Sequence, residues 1–299
     1  MAIPTSQLDI WRKQGATTTS SQIYASVQAC LNADVSKISS LDYEIFLQGS
    51  YKNDTNIYAD SDVDVVVQLK TTWNRDISQL SSDETQRYLA TYPNATYLWE
   101  HFYRDVLATL SAYYKEPVST SGKVPKIKTM GGYTADIVIA TDYRRYTNFQ
   151  SDRINKYVEG TKFIVPNGGN REVINYPKIH YENGVSKNGA SSTNGWYKPT
   201  VRMFKNIRNK MIDDGKITSK LAPSYFLECL IYNVPDSCFS SDAVKTFCDV
   251  INHLHAAVLT KYVCQNHQLY LFGSAQEQWN EADAKSFISQ AIDLWNKWT

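Results

Sequence analysis

The spacing of apolar residues divides the chain into a first half that mixes helices with strands and a second half that is mainly helical. Between Ser20 and Ile38, apolar residues recur at every fourth position, as on one face of a helix. Four shorter runs, rich in β-branched residues, favour strands. They lie at 43–47, 63–67, 125–129 and 135–140. A helical pattern at 83–114, interrupted by Pro93, separates the second run from the third, and Gly131 and Gly132 favour a hairpin between the last two.

Beyond Gly160 the pattern changes. Stretches rich in Asn and Gly punctuate the chain, and helical periodicity follows them. The helical patterns span 199–213, 223–233, 241–260 and 281–298. We therefore place a domain boundary near residue 165, between a domain of residues 1–165 and a mainly helical domain of residues 166–299. The predicted fold class is α+β.

The composition is that of a globular protein. Its 42% of hydrophobic residues and 13% of aromatic residues are too many for a disordered chain, and no apolar run is long enough to span a membrane. The formal net charge of +1 provides no global field for DNA or anionic lipid. The five cysteines form no C-x-x-C pair, and the N-terminus lacks the apolar core of a signal peptide. We expect a cytoplasmic protein.

Two acidic residues at the start of the second strand-like run form the most informative motif. Asp62 and Asp64 alternate along this run, so their side chains project to one face with Cα atoms about 6 to 7 Å apart. Carboxylates so placed repel each other unless a cation lies between them. Divalent metals, which bind carboxylate and phosphate oxygens, relieve that repulsion. A lone Asp-x-Asp is a weak signal, because strand ends at the surface often carry acids.

Two further features make the pattern more specific. Gln48, Gly49 and Ser50 precede the acidic pair by about a dozen residues. Gly49 lets the backbone approach a phosphate closely, while Ser50 offers a hydroxyl and an N–H group. Asp136, in the fourth strand-like run, is the candidate third carboxylate if that strand is a neighbour of the second. The combination predicts metal-dependent chemistry on a nucleotide phosphate.

The segment at 49–69 resembles the active-site strand–loop–strand of the nucleotidyltransferase superfamily of DNA polymerase beta, poly(A) polymerase, oligoadenylate synthase and cyclic GMP-AMP synthase. Its string, GSYKNDTNIYADSDVDVVVQL, is most similar to the bacterial CD-NTases, which make cyclic oligonucleotide signals in antiphage defence. Three later strings follow in the order that this family shows. They are VINYPKIHYENGVSKNG, WYKPTVRMFKNIRNKM and APSYFLECLIYNVP. The resemblance implies a bilobed polymerase beta-like core with a mixed sheet and a C-terminal helical domain.

Carried onto matching positions, the resemblance also implies the site. Asp62, Asp64 and Asp136 would be the catalytic residues and would bind two Mg²⁺ ions, with Mn²⁺ as a substitute. The nucleotide-binding residues would be Gln48, Gly49, Ser50, Asn175, Lys205, Ser224 and Tyr225. Residues 1–165 would form the nucleotidyltransferase core with its N-terminal helix, and residues 166–299 the nucleotide-binding domain.

These positions have separate expected roles. Ser50, Lys205 and Ser224 would hold the donor triphosphate, and Tyr225 would stack on a nucleobase. Asn175 lies where the family contacts a base, and Asn at this position resembles clade E enzymes that favour uracil. A helical lysine is usually only solvated, and a serine after proline is usually only a helix cap, so both roles depend on the resemblance.

The implied reaction is the condensation of two ribonucleoside triphosphates, with release of pyrophosphate, into a cyclic dinucleotide. We expect a pyrimidine-containing product such as cyclic UMP-AMP or cyclic di-UMP, used in antiphage defence signalling. The resemblance implies a downstream effector protein that this product activates. We expect a monomer that needs no DNA, since the chain lacks the zinc insertion with which animal cyclic GMP-AMP synthase grips DNA.

Three alternatives stay open from the sequence. The product could be a purine cyclic dinucleotide or a cyclic oligonucleotide. The acceptor could instead be an RNA end or a small molecule, with the same metal chemistry. A catalytically silent nucleotide-binding relative would usually have lost one carboxylate, and all three are present here.

Overall fold

The computed structural model describes residues 1–58, 63–115, 118–129 and 132–298. Its strands form one mixed sheet. They are β1 (Tyr43–Gln48), β2 (Val63–Asp76), β3 (Lys126–Lys128), β4 (Thr134–Phe149), β5 (Asn155–Val165) and β6 (Arg171–Asn175). The order across the sheet is β1-β2-β4-β5-β6, and β3 pairs with the first part of β4. Only the β2–β4 pairing is parallel among the pairs of these named strands.

Helices make up most of the remaining described chain. They are α1 (Thr5–Arg12), α2 (Thr18–Leu31), α3 (Gly49–Lys52), α4 (Ser82–Thr91), α5 (Trp99–Tyr114), α6 (Pro177–Asn188), α7 (Tyr197–Asp213), α8 (Ser224–Tyr232), α9 (Ala243–Ala256) and α10 (Glu281–Asn296). Short 3₁₀ turns lie at Pro166–Gly168, Asp236–Cys238 and Leu259–Lys261. In the part of the chain that the structure describes, no helix has both the length and the apolar character to cross a bilayer.

The chain forms two compact units, and each is assembled from segments that are distant in sequence. We call them the sheet unit and the helical unit. The sheet unit contains Thr17–Gln48 and Asp62–Pro177. The helical unit contains Met1–Ala16, Gly49–Ser61 and Lys178–Thr299.

The sheet unit is organised around β2 and β4. Val65, Val66 and Val67 are fully buried, which shows that both faces of β2 are covered. A parallel pair needs a crossover connection, and α4 and α5 lie in the chain between β2 and β4. The helix α5 packs on α2 and on β4.

The helical unit has its own apolar core. Phe204 of α7 stacks on Phe247 of α9 with ring centroids 5.7 Å apart, and Phe247 in turn stacks on Trp295 of α10 at 4.7 Å. The helix α1 packs against α7. Burial of these large rings supplies much of the hydrophobic driving force for this unit.

These units differ from the division that the sequence predicts near residue 165. The strand β6, at Arg171–Asn175, continues the sheet by pairing with β5, so the sheet unit extends past that point. In the other direction, α1 joins the helical unit because it packs against α7. The segment that begins at Gly49 joins it through hydrogen bonds of Asn53 and Thr55 to Glu228 of α8. The assignment of catalysis to 1–165 and of nucleotide binding to 166–299 stays a prediction.

Most predicted elements are confirmed, including the helices of the second half and the α+β class with a mixed sheet. The hairpin between β3 and β4 is confirmed by their antiparallel pairing; Gly132 has φ +79°, and Gly131 lies outside the described residues. The sequence patterns do not predict α1, α3, α6 or β5. The strand β5 lacks an alternating apolar pattern in its first half, because polar residues such as Lys156 and Glu159 lie on both of its faces.

Candidate active site

The pairing of β2 with β4 brings two of the predicted carboxylates together. Asp64 and Asp136 are Cα partners in this parallel register. Residues paired in this way lie on adjacent strands about 4.8 Å apart and project to the same face. The expected adjacency of these strands is therefore confirmed. Asp62, the remaining member of the predicted trio, lies outside the described residues.

The two carboxylates attract basic side chains within the sheet unit. The ammonium of Lys126 lies 3.4 Å from Oδ1 of Asp136. Burial lowers the pKa of Lys123, the charge of Arg171 lowers it further, and the negative charge of Asp64 opposes both effects. This negative potential and these oxygen donors suit a hard divalent cation such as Mg²⁺. Among the described residues, no group of three or more Asp, Glu, His or Cys side chains could hold a metal ion.

The Gly–Ser turn begins directly where β1 ends. Gln48 is the last residue of β1 and pairs with Asp64 in the sheet unit. Gly49 has φ +68°, which favours glycine, and it starts the short helix α3 in the helical unit. The carbonyl oxygens of Gly49 and Ser50 accept hydrogen bonds from the backbone N–H groups of Asn53 (3.1 Å) and Thr55 (3.0 Å). Backbone hydrogen bonds from the residues that follow the turn therefore stabilise its conformation.

Ser224 and Tyr225 form the first turn of α8, as the sequence predicts. Arg208 donates a hydrogen bond from Nη1 to Oγ of Ser224 at 2.8 Å, which places a cation beside the free N–H groups of the helix start. Tyr225 is 42% exposed. Its ring stacks on His180 with centroids 5.4 Å apart and an interplanar angle of 26°. An exposed ring supported in this way offers a flat surface for a nucleobase.

Lys205, predicted to hold the donor triphosphate, lies in the interior of the helical unit rather than facing solvent. The residue is only 2% exposed, and its ammonium donates to the carbonyl oxygen and to Oγ1 of Thr55, both at 3.1 Å. It also lies 3.6 Å from Oε2 of Glu228. Because protein acceptors surround the ammonium, its position fits a buried ion pair better than a direct contact with triphosphate. That contact stays a prediction.

Glu228 is the buried partner of Lys205, and the sequence patterns do not predict it. Burial alone would raise the pKa of its carboxyl group, but hydrogen bonding to His180, the positive charge of Lys205 and a hydrogen bond from Thr55 lower the pKa to about 2. A signal was available, since Glu228 is the one acidic residue in the apolar run SYFLECLIY. Buried acids in such a run are normally paired.

Asn175, the predicted base reader, is the last residue of β6 in the sheet unit. It pairs with Thr161 of β5 and is half-buried. A Cβ atom on Gly160 would lie only 2.7 Å from the carbonyl oxygen of Asn175, so the strands approach closely here because that residue is glycine. Which base the Asn175 side chain reads stays a prediction.

Carboxylates on adjacent strands, with a Gly–Ser turn at the end of the preceding strand, are the arrangement that we expect of a nucleotidyltransferase. Comparison with known proteins gives the family. Residues 182–296 match the cGAS/DncV-like nucleotidyltransferase C-terminal helical domain. With full-length relatives well above 30% identity, the chain belongs to the cGAS/DncV-like nucleotidyltransferases, the CD-NTases, and its relatives are of the CdnE type.

Two relatives and one solved structure are similar over nearly the whole chain. The cyclic UMP-AMP synthase of Rhodothermus marinus is 46% identical over 300 residues, which cover 100% of this chain and 99% of the relative. The cyclic nucleotide synthase CdnE01 of Staphylococcus haemolyticus is 42% identical and covers 100% of both chains. The structure of Rhodothermus marinus CdnE c-UMP-AMP synthase with Apcpp and Upnpp has a TM-score of 0.89 at 46% identity, covering 99% of this chain and 97% of that one.

These findings confirm the predicted family, the predicted fold class and the nucleotidyltransferase class. They also confirm the interpretation of the chain as a member of the cyclic dinucleotide synthases, since the relatives are named for that activity.

Proposed function

We propose that this protein condenses two ribonucleoside triphosphates into a cyclic dinucleotide that contains uridine, with cyclic UMP-AMP as the leading candidate. The observation that carries the proposal is the register of Asp64 with Asp136 on parallel strands. Full-length similarity to the Rhodothermus marinus cyclic UMP-AMP synthase supports the choice of product.

The carboxylates define where the chemistry takes place. Asp64 and Asp136, together with Asp62 from the adjoining segment, would hold divalent ions, for which we propose Mg²⁺. Such ions favour ionisation of the attacking hydroxyl and neutralise the leaving pyrophosphate. The Lys126 ammonium beside Asp136 shows that this pair already draws positive charge. Asp136 also offers an oxygen that accepts the acceptor hydroxyl's hydrogen bond and orients it for attack.

Each bond-forming step is a displacement at the α-phosphorus. The 3′-oxygen of one nucleotide forms a new P–O bond, the bond to the β-phosphate oxygen breaks, and pyrophosphate leaves. A second displacement, within the linear intermediate, consumes its triphosphate and closes the ring. The hydroxyl proton passes to a nearby carboxylate or to solvent in each step.

The helical unit supplies the donor-binding groups. Ser50 contributes a hydroxyl and backbone N–H after the Gly49 turn, and Ser224 contributes the same groups at the start of α8. The guanidinium of Arg208, bound to Ser224 Oγ, adds positive charge that suits a triphosphate. Tyr225 stacks on the donor base.

Asn175 selects the base of the second nucleotide, because its amide both donates and accepts hydrogen bonds. We propose that it pairs with the edge of uracil. Incubation with single and paired α-labelled ribonucleoside triphosphates, followed by phosphatase and nuclease digestion, measures which bases enter the product. Asn175→Ser should lower uridine incorporation relative to purine incorporation, with total product retained. Unchanged base ratios in this variant would remove the role of Asn175.

The alternative acceptors give different outcomes in the same assay. If product forms only on added RNA, or if phosphatase degrades a linear product, the result would contradict a cyclic dinucleotide synthase and support an acceptor-dependent transferase. We further propose that the protein acts as a monomer in the cytoplasm, without DNA, and that its product activates an effector protein in antiphage defence. Size-exclusion chromatography with light scattering tests the monomer directly.

A further inference from the structure

We propose that Glu228 is a positioning residue for the donor nucleotide. Its carboxylate fixes the Gly49–Ser50 turn against the start of α8, so that Ser50, Ser224 and Tyr225 are held in one arrangement within the helical unit. The inference rests on the proposed function, because it concerns the same nucleotide site.

On one side, Glu228 holds the segment that follows the turn. Asn53 donates a hydrogen bond from Nδ2 to Oε1 at 3.0 Å, and Thr55 donates one from Oγ1 to Oε2 at 2.9 Å. The backbone N–H groups of the same two residues donate to the carbonyl oxygens of Gly49 and Ser50. Asn53 therefore links Oε1 of Glu228 to Gly49, and Thr55 links Oε2 to Ser50.

On the other side, Glu228 supports the aromatic surface. It lies in α8 one helical turn after Ser224 and Tyr225. Its Oε1 lies 3.1 Å from Nε2 of His180, and the His180 ring stacks on Tyr225. Hydrogen bonds to an ionised carboxylate are shorter and stronger than neutral ones, so this contact fixes the orientation of the imidazole. The imidazole in turn limits where the Tyr225 ring can lie.

The buried cluster of Glu228, Lys205, Asn53, Thr55 and His180 contributes more to the positions of these side chains than to net stability. Lys205 neutralises Glu228 from 3.6 Å, and both side chains are almost completely buried. An apolar pair of similar volume would fill the same space without the cost of removing two charges from water. What the ionic cluster adds is a fixed set of directions. Asn53, Thr55 and His180 hydrogen-bond to the Glu228 carboxylate from defined positions, and the Lys205 ammonium forms an ion pair with it.

The test measures binding of α,β-methylene ATP with Mg²⁺ by calorimetry, beside steady-state kinetics of product formation. Three single variants are compared with the natural protein: Glu228→Gln, Asn53→Ala and His180→Phe. Asn53→Ala and His180→Phe each remove one hydrogen bond to Glu228 and keep its ion pair with Lys205. These two variants therefore test the inference even if Glu228→Gln fails to fold. Each of the three variants should weaken binding and raise KM by about tenfold, with kcat within about threefold, because the donor-binding groups lose a contact that positions them.

A double variant tests whether the two sides act through one carboxylate. If they do, Asn53→Ala combined with His180→Phe should weaken binding by less than the product of the two single effects. Independent effects that multiply would contradict positioning through Glu228.

Asp142→Asn is the matched control. Asp142 is a buried carboxylate of the sheet unit, 2.5 Å from Lys70 and 3.0 Å from Arg144. Its replacement should lower the melting temperature and leave triphosphate affinity unchanged. Variants of the Glu228 cluster that lose stability but bind the analogue as tightly as the natural protein would overturn the inference and leave the proposed function intact. A natural protein that neither binds the analogue nor forms product would overturn both.

Discussion

Replacement of Glu228 by glutamine should destabilise the helical unit in a way that depends on pH. The surrounding donors lower the pKa of this carboxyl group from its ordinary 4.5 to about 2. At about 1.4 kcal/mol per pH unit, this gap corresponds to about 3 kcal/mol of stability at neutral pH. Glutamine loses this stabilisation and removes the negative charge of Glu228 from beside the buried ammonium of Lys205. The free energy of unfolding at pH 7 should therefore fall by about 3 kcal/mol.

The sign of the pH dependence follows from the lowered pKa. The stabilisation is complete above pH 4.5, where the unfolded chain is ionised too, and it is lost as the pH falls toward 2. The difference between the natural protein and Glu228→Gln should shrink by about 1.4 kcal/mol per pH unit below pH 4.5.

Urea unfolding measures this difference, and tryptophans 196, 279 and 295 of the helical core provide the fluorescence signal. Asp214→Asn is the control, because Asp214 pairs with Lys210 at the surface of the same unit. That variant should change stability by less than about 1 kcal/mol at any pH. A Glu228→Gln difference below about 1 kcal/mol at pH 7, or one that stays constant into acid, would refute the reasoning.

Three further predictions concern the site. Asp136→Asn should lower pyrophosphate release by about a thousandfold, with a melting temperature within a few degrees of the natural protein; activity within tenfold would exclude Asp136 from catalysis. Tyr225→Ala should weaken triphosphate binding by about tenfold to a hundredfold, while Tyr225→Phe keeps it within about threefold, as calorimetry can show. Gly49→Ala should lower the free energy of unfolding in urea by about 1 kcal/mol because φ is +68° there, and an unchanged midpoint would contradict the strain.

The site motifs were predictable because they are local. The β-branched run around Asp64, the Gly–Ser pair after a strand and the Pro-Ser-Tyr start of α8 each carry their own pattern in a few residues. The pairing of Asp64 with Asp136 needed the fold, since the strands are joined by a crossover and their register depends on packing across the whole sheet.

The interior of the helical unit was less predictable. Lys205 contacts Thr55, which is 150 positions away in the chain, and this contact decides whether the lysine is buried or solvated. The two compact units were not predictable for the same reason: the segment that begins at Gly49 joins the helical unit through buried polar contacts with Glu228 that no periodicity reveals.

The central claim is that the protein makes a cyclic dinucleotide with the carboxylates of β2 and β4. The most direct measurement is the mass of the phosphatase-resistant product formed from all four ribonucleoside triphosphates with Mg²⁺, beside the double variant Asp64→Asn and Asp136→Asn. We predict a cyclic product that contains uridine and is absent from the double variant. A product that phosphatase degrades completely, or an equal yield from the double variant, would contradict the account.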